Sequence, residues 1–94
     1  MNLVKKGSGY KILNVQGVAI NSGQILPGES GVGETTFNLI EGAEVYVPVL
    51  NGMGWLSPGA PVIIGNKISC KFINTGTSQH SGGVYVWIFA LALL

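Results

Sequence analysis

Apolar and polar residues alternate along most of this chain with a period of two. Such a period predicts β-strands, because successive side chains of a strand point to opposite faces. Turn dipeptides separate the alternating segments, and no helical apolar repeat continues over three turns. The pattern therefore predicts an all-β chain of about six to eight short strands. Their arrangement is predicted to be an antiparallel, jelly-roll-like β-sandwich or a small barrel.

The first half of the chain contains three predicted strands and one long connection. Residues 10–15 and 18–25 are predicted to form a hairpin, with Gln16 and Gly17 as its tight turn. Residues 23–34 are rich in glycine and are predicted to be a loop. The β-branched residues in 35–40 predict the strand that follows this loop.

Residues 44–50 are predicted to be a strand with three valines on one face. Pro48 has no N–H to donate, so this strand is expected at a sheet edge or at a bulge. Asn51 and Gly52 predict a type I′ turn after it, because both residues tolerate a positive φ.

Residues 62–73 form the clearest predicted hairpin, with a Gly-Asn turn in the middle. In its second strand, Ile68, Cys70 and Phe72 alternate with lysine and serine. One face of this strand is therefore predicted to be core and the other solvated. Cys70, on the core face, is expected to be an unreactive buried thiol.

Residues 84–94 are the longest apolar run and have no polar face at all. A strand with two apolar faces is covered on both sides, so the second face needs another subunit, a covering loop or lipid. The run is too short for a membrane helix of about 20 residues, and it is a single strand where a membrane hairpin needs two. A membrane is therefore not expected as a partner. The residues predicted for core or oligomer interface are Val84, Tyr85, Val86, Trp87, Ile88, Phe89 and Leu91.

The composition adds to this expectation of assembly. The chain has 94 residues, which predicts one domain over residues 1–94, with 1–9 as a flexible lead-in. Only 10% of the residues are charged, against about 25% in ordinary globular chains, while 47% are hydrophobic. With so few charged side chains to cover the surface, a symmetric homo-oligomer is predicted, and a trimer is one symmetry that would serve.

The charged residues also limit the chemistry that the chain can perform. All five cations are lysines and all four anions are glutamates, and the net charge of +1 predicts no binding of nucleic acid. With one histidine, one cysteine and no aspartate, the chain has no metal-ligand spacing and no evident triad. The sequence therefore predicts a protein that is not an enzyme, with no catalytic residue, no cofactor and no metal.

Residues 28–36 resemble the phosphate-binding loop of P-loop NTPases, with Gly28, Gly33 and Thr35 in the expected places. Glu34, however, stands where that loop has its lysine, and a carboxylate there repels phosphate. A flexible connection is the preferred interpretation. A second functional class also stays open, a lectin-like ligand- or carbohydrate-binding module. Its possible ligand loops would use Asn51, Trp55 and His80, since an exposed tryptophan stacks on sugars.

Three stretches give the chain a family resemblance: residues 10–17, residues 26–47 and residues 84–88. In these it resembles the small β-rich structural proteins of tailed phages and prophages. The resemblance implies a non-catalytic virion or tail component that packs against itself and other virion proteins. The start of the chain has a Lys-Lys pair without an apolar run behind it, so no signal peptide is predicted. The expected location is the bacterial cytoplasm before assembly, or the virion.

Overall fold

The computed structural model describes residues 9–53 and 56–94. Within these ranges the chain forms seven β-strands and no helix, so the all-β prediction is confirmed. The strands are β1 (Tyr10–Ile25), β2 (Ser30–Thr36), β3 (Val45–Met53), β4 (Ser57–Pro58), β5 (Val62–Ile64), β6 (Lys67–Ile73) and β7 (His80–Leu93).

The strands form two antiparallel sheets. Sheet A has the order β1-β7-β3, so the two-sided apolar strand lies in its middle and β3, with Pro48, lies at an edge as predicted. In sheet B, β6 is central; β2 pairs along one edge, and the short strands β4 and β5 share the other. The hairpin of β5 and β6 also agrees with the prediction, and Gly65 supplies the positive φ of 63° in its turn.

β1 is one continuous strand of 16 residues, so the predicted turn at Gln16 and Gly17 is wrong. Gly17 pairs with Trp87, and β7 runs alongside β1 on both sides of this position. The Gln16 amide also forms two hydrogen bonds with the backbone of Asn38, of 2.7 Å and 2.9 Å. Long pairing with β7 therefore overrides the local turn preference of the dipeptide. The irregularities in β1 lie elsewhere, and one is next to Gly23, which has a φ of 77°.

Three further expectations about strand limits are corrected. Asn51 and Gly52 lie inside β3, at an irregularity in its pairing with β7, and form no hairpin turn. The loop predicted over residues 23–34 is limited to 26–29, between β1 and β2. The strand predicted over residues 35–40 begins earlier, at Ser30, and ends at Thr36. The strands are not all short, because β1 and β7 have 16 and 14 residues. The molecule is accordingly extended, with a long dimension of 55 Å.

Both sheets contribute side chains to one core cluster. Its fully buried side chains come from the inner faces of both, among them Ile20 and Ile88 of sheet A and Phe72 of sheet B. Beyond sheet B, residues 37–44 approach the rest of the inner face of sheet A. There the rings of Phe37 and Tyr46 meet edge to face at 5.2 Å, and the Tyr46 hydroxyl accepts a 2.7 Å hydrogen bond from the Ile40 N–H. The inner side of β7, the central strand of sheet A, is therefore buried from Val84 to Ala92. Lys11, Asn14 and Leu50, on the same face of the flanking strands, stay exposed.

Candidate functional site

The opposite, outer face of sheet A is apolar and exposed. Along β7 the burial alternates: Val84, Val86 and Ile88 are at most 5% exposed, whereas Tyr85 and Trp87 are 64% and 42% exposed. The strand pairing places apolar residues of β1 and β3 beside these exposed side chains. The "apolar face" is defined here as Tyr10, Ile12, Val15, Val45, Val47, Val49, Tyr85, Trp87, Phe89, Leu91 and Leu93.

The register shows that this face is continuous across the three strands. Phe89 lies in its middle, with Val15 opposite on β1 and Val47 opposite on β3. Leu91 is flanked in the same way by Ile12 and Val45. Cβ atoms directly opposite each other on neighbouring strands are about 4.5–5.5 Å apart, so these side chains contact their neighbours. The face is therefore one surface and not a scatter of single apolar residues.

The size of the apolar face exceeds what monomeric proteins usually expose. Nine of its eleven side chains keep between 36% and 64% of their surface exposed. Four of the eleven are large aromatic side chains, Tyr10, Tyr85, Trp87 and Phe89, so the exposed apolar surface is on the order of 800 Å². The largest such patch on a typical monomer is about 300–600 Å². A surface of this size indicates an interaction site.

The outer face of sheet B is mixed in character. It carries Lys67 and Lys71 on β6 and Glu34 on β2, interleaved with serine and threonine and with four exposed apolar residues, Val32, Val62, Ile64 and Ile73. Lys67 Nζ lies 3.8 Å from Glu34 Oε1, and both side chains are about 60% exposed. An exposed ion pair of this kind contributes little stability, about 0–1 kcal/mol, but it marks a solvated surface. The eleven residues of the apolar face, by contrast, include no charged residue; at one end of the face, the Glu44 carboxylate accepts a 2.8 Å hydrogen bond from the Leu93 N–H.

Trp87 determines the relief of the apolar face, that is, how far its side chains stand above the sheet. A Cβ built on Gly17, its partner on β1, would lie 3.0 Å from Trp87 Cζ3 and 3.3 Å from Cε3. The indole therefore lies over the backbone of β1 and fills the space that a side chain at Gly17 would take. As a result, the largest side chain of the face lies across the sheet and does not stand out from it.

The residues proposed for a ligand loop are distributed as follows. Asn51 is exposed on β3, and His80 is half-buried at the start of β7, where it pairs with Ile25. Trp55 lies outside the described residues. The lectin-like alternative, which depends on this tryptophan, stays a prediction.

Residues 28–36 do not form a loop that could surround a phosphate. Gly28 takes a positive φ of 81° in the turn before β2, and Gly33 is buried in β2 against β1. The glycines therefore serve a turn and a close approach of two strands. In the described part of the chain, no group of three or more His, Cys, Asp or Glu side chains is placed to hold a metal ion.

Cys70 is buried in the core, at 2% exposure, and its Sγ lies 3.1 Å from the carbonyl oxygen of Gly59. Burial raises the pKa of the thiol, and a backbone hydrogen bond from Lys71 opposes this rise only in part. Burial favours the neutral thiol, so Cys70 does not reduce the stability of the fold below the unfolded thiol pKa, near 8.5. As the pH rises above that value, the unfolded state loses its thiol proton first, and the free energy of unfolding falls.

We expect Cys70 to react with a thiol-specific reagent such as dithionitrobenzoate at least about tenfold more slowly in the folded protein than in urea at the same pH. The reason is that the thiol is both buried and held neutral. Reaction rates followed by absorbance in the two states measure this. Equal rates would show that Cys70 is accessible in the native protein.

Comparison of the chain with models of known protein families, with curated proteins and with solved structures gives no match. Among the described residues, none belongs to a helix long and apolar enough to cross a membrane. The functional interpretation of the chain therefore rests on its own surface.

Sequence reasoning missed the contribution of β1 to the apolar face. Ile12 and Val15 are three residues apart, which breaks the period of two, yet the irregularity after Ile12 brings both onto the outer face. No signal in the sequence locates that irregularity. The pairing of Gly17 with Trp87 is equally hidden, because the local sequence predicts a turn at residues 16 and 17.

Proposed function

We propose that this chain is a non-catalytic structural protein that works by assembling into a symmetric homo-oligomer, with its two sheets as a β-sandwich. The observation that supports this most is the contrast between the sheets. The outer face of sheet A is apolar and uncharged across three strands, whereas that of sheet B combines exposed apolar residues with lysine, glutamate, serine and threonine. Full burial of each large apolar side chain contributes roughly 1.5–3 kcal/mol. Nine of the eleven side chains keep 36–64% of their surface exposed, so about half of this gain remains for each of them. Summed over the faces of two copies, it can outweigh the cost of association, about 4–15 kcal/mol.

The purified chain is expected to be an oligomer at micromolar concentration, because the apolar face exposes more apolar surface to water than a typical monomer does. Size-exclusion chromatography with multi-angle light scattering measures its mass directly. Dilution from about 100 µM to 1 µM then tests whether the assembly is stable. A mass of one subunit across this range would contradict the proposed function.

The resemblance to phage structural proteins extends this proposal to a particle. We infer that the oligomer is a component of a tailed-phage or prophage virion or its tail, present in the bacterial cytoplasm before assembly. This extension is supported by the sequence resemblance alone. Mass spectrometry of particles purified after prophage induction tests it: the chain should co-purify with capsid or tail proteins. Recovery of the chain only in the particle-free fraction would contradict it.

A further inference from the structure

We propose that two copies of this chain pack their apolar faces against each other around a two-fold axis that passes close to Phe89. This inference rests on the proposed function, because it names the partner and the symmetry of the same surface. The partner is a second copy of the chain, and the contact is sheet against sheet. Four properties of the apolar face support this arrangement: charge, area, relief and the place of its aromatic residues.

The absence of charge favours a second copy as the occupant. A two-fold contact brings each patch against itself, so any charge near the axis would meet the same charge of the other copy. The apolar face has no charged residue, and it therefore meets itself without repulsion. The outer face of sheet B, with Lys67 and Lys71 on one strand, would bring lysines together.

The area of the face fits a pair of subunits. On the order of 800 Å² is exposed on each copy, and a standard protein interface buries about 800 Å² per partner. The face of one copy therefore supplies what a stable dimer needs, and no additional surface of the chain has to take part.

The relief of the face suits the packing of one sheet on another. Stacked sheets lie about 10 Å apart, with side chains of both filling the space between them. Because the Trp87 indole lies over Gly17, it stands less far above the sheet than an upright side chain in the β7 row would. Valines fill the row on β3. Two such faces can approach to the usual distance without a collision between their central rows.

We place the two-fold axis at Phe89 because this residue is at the centre of the apolar face. It lies halfway along the face, between Tyr85 and Leu93, and it has apolar partners on both neighbouring strands. It is also less exposed than Tyr85 and Trp87, since the side chains around it cover part of the ring. Interface residues that dominate binding are mostly such central, well-packed aromatic residues.

The same dimensions disfavour the trimer that the sequence allowed. A sheet of three strands is about 14 Å wide, so three of them closed around an axis would each stand only about 4 Å from it. Two stacked sheets each stand about 5 Å from their midplane, which leaves more room. The aromatic row of Tyr85, Trp87 and Phe89 needs that room. A two-fold pair therefore fits the observed face better than a three-fold ring.

Substitution of Tyr85 by lysine tests the surface. Tyr85 is 64% exposed, so Tyr85→Lys leaves the subunit folded while it places a charge on the apolar face. We expect light scattering to give two subunits for the wild type and one for Tyr85→Lys, with the same far-ultraviolet circular dichroism. Val49→Lys, on β3, is a second variant with the same expected result. Val32→Lys is the matched control: Val32 is 62% exposed on the outer face of sheet B, and this variant should stay dimeric.

Cross-linking tests the axis. In a Cys70→Ser background, a short bis-maleimide reagent should link Phe89→Cys to its own copy, since a residue near the axis faces itself across stacked sheets about 10 Å apart, too far for a direct disulfide. Val32→Cys in the same background should not be linked. If charge on the apolar face separates the subunits but Phe89→Cys gives no cross-link, the axis lies elsewhere and this inference is overturned.

The outcomes separate the two proposals. A monomeric wild type would overturn both. A wild type with three or more subunits, or an oligomer that both lysine variants leave intact, would overturn the two-fold contact alone. In that case assembly would stand and use another arrangement. Loss of the dimer in both variants, together with the Phe89→Cys cross-link, would support the contact as proposed.

Discussion

Gly33→Ala should lower the free energy of unfolding by about 3 kcal/mol, at the upper end of the usual cost of overpacking. A Cβ at this position would lie 2.6 Å from the carbonyl carbon of Asn21 and 3.0 Å from Ile20 Cγ2, and it would also overlap the Asn21 carbonyl oxygen. Backbone atoms cannot turn aside as a side chain does, so β1 and β2 would have to separate. Urea unfolding followed by circular dichroism measures the change.

Two other glycines provide controls for this substitution. Gly31→Ala is on the same strand, but its Cβ would meet the flexible side chain of Ile25, so a smaller loss is expected. Gly59→Ala has its nearest neighbour at 3.5 Å, the carbonyl oxygen of Lys71, and should change stability by less than about 0.5 kcal/mol. If Gly33→Ala were as stable as Gly59→Ala, the close crossing of β1 over β2 would be wrong.

The second large effect is expected at Asn74, which is fully buried where β6 ends. Its amide nitrogen donates to the carbonyl oxygens of Ile25 and Ser78 at 2.8 Å and 2.9 Å, and its Oδ1 accepts from the Gly76 N–H at 2.9 Å. Asn74→Ala leaves three backbone groups without these partners. Each unsatisfied buried group costs about 1–3 kcal/mol, so we expect a total loss of about 3 kcal/mol.

Thermal and urea unfolding of Asn74→Ala at one fixed protein concentration measure this loss. Asn74→Asp should also be destabilised, because the carboxylate keeps the acceptor but removes both donors. Asn38→Ala is the matched control, since Asn38 is exposed and its hydrogen bonds to Gln16 use its backbone. Equal stability of Asn74→Ala and Asn38→Ala would show that Asn74 does not connect β1, β6 and the loop before β7.

The elements that the sequence predicted best are those whose pattern is local. The hairpin of β5 and β6 has strict alternation and a Gly-Asn turn, and the structure places both strands as expected. The two-sided apolar character of residues 84–94 also requires only the period of two. In both cases the information lies within a dozen consecutive residues.

The features that could not be predicted depend on partners distant in the chain. The turn expected at Gln16 and Gly17 is absent because β7, more than sixty residues away, pairs through it. Gly33 has no side chain because Asn21 of β1 approaches it, which the sequence alone cannot show. Asn74 did leave a signal, since an asparagine two residues before a glycine is typical of an Asx-turn. That signal locates the turn but not the contact with Ile25.

The order of the strands in sheet A has a consequence for how the protein folds. Its two edge strands, β1 and β3, both come before the central strand β7 in the chain, and Tyr10 pairs with Leu93. Neither edge strand has its partner until β7 has been synthesised. Pairing over such sequence distances is slow to form, with folding times of milliseconds to seconds for chains of this kind. During that interval the valines of β3 and the apolar side of β1 are unpaired, so refolding at low protein concentration should improve the yield of native protein.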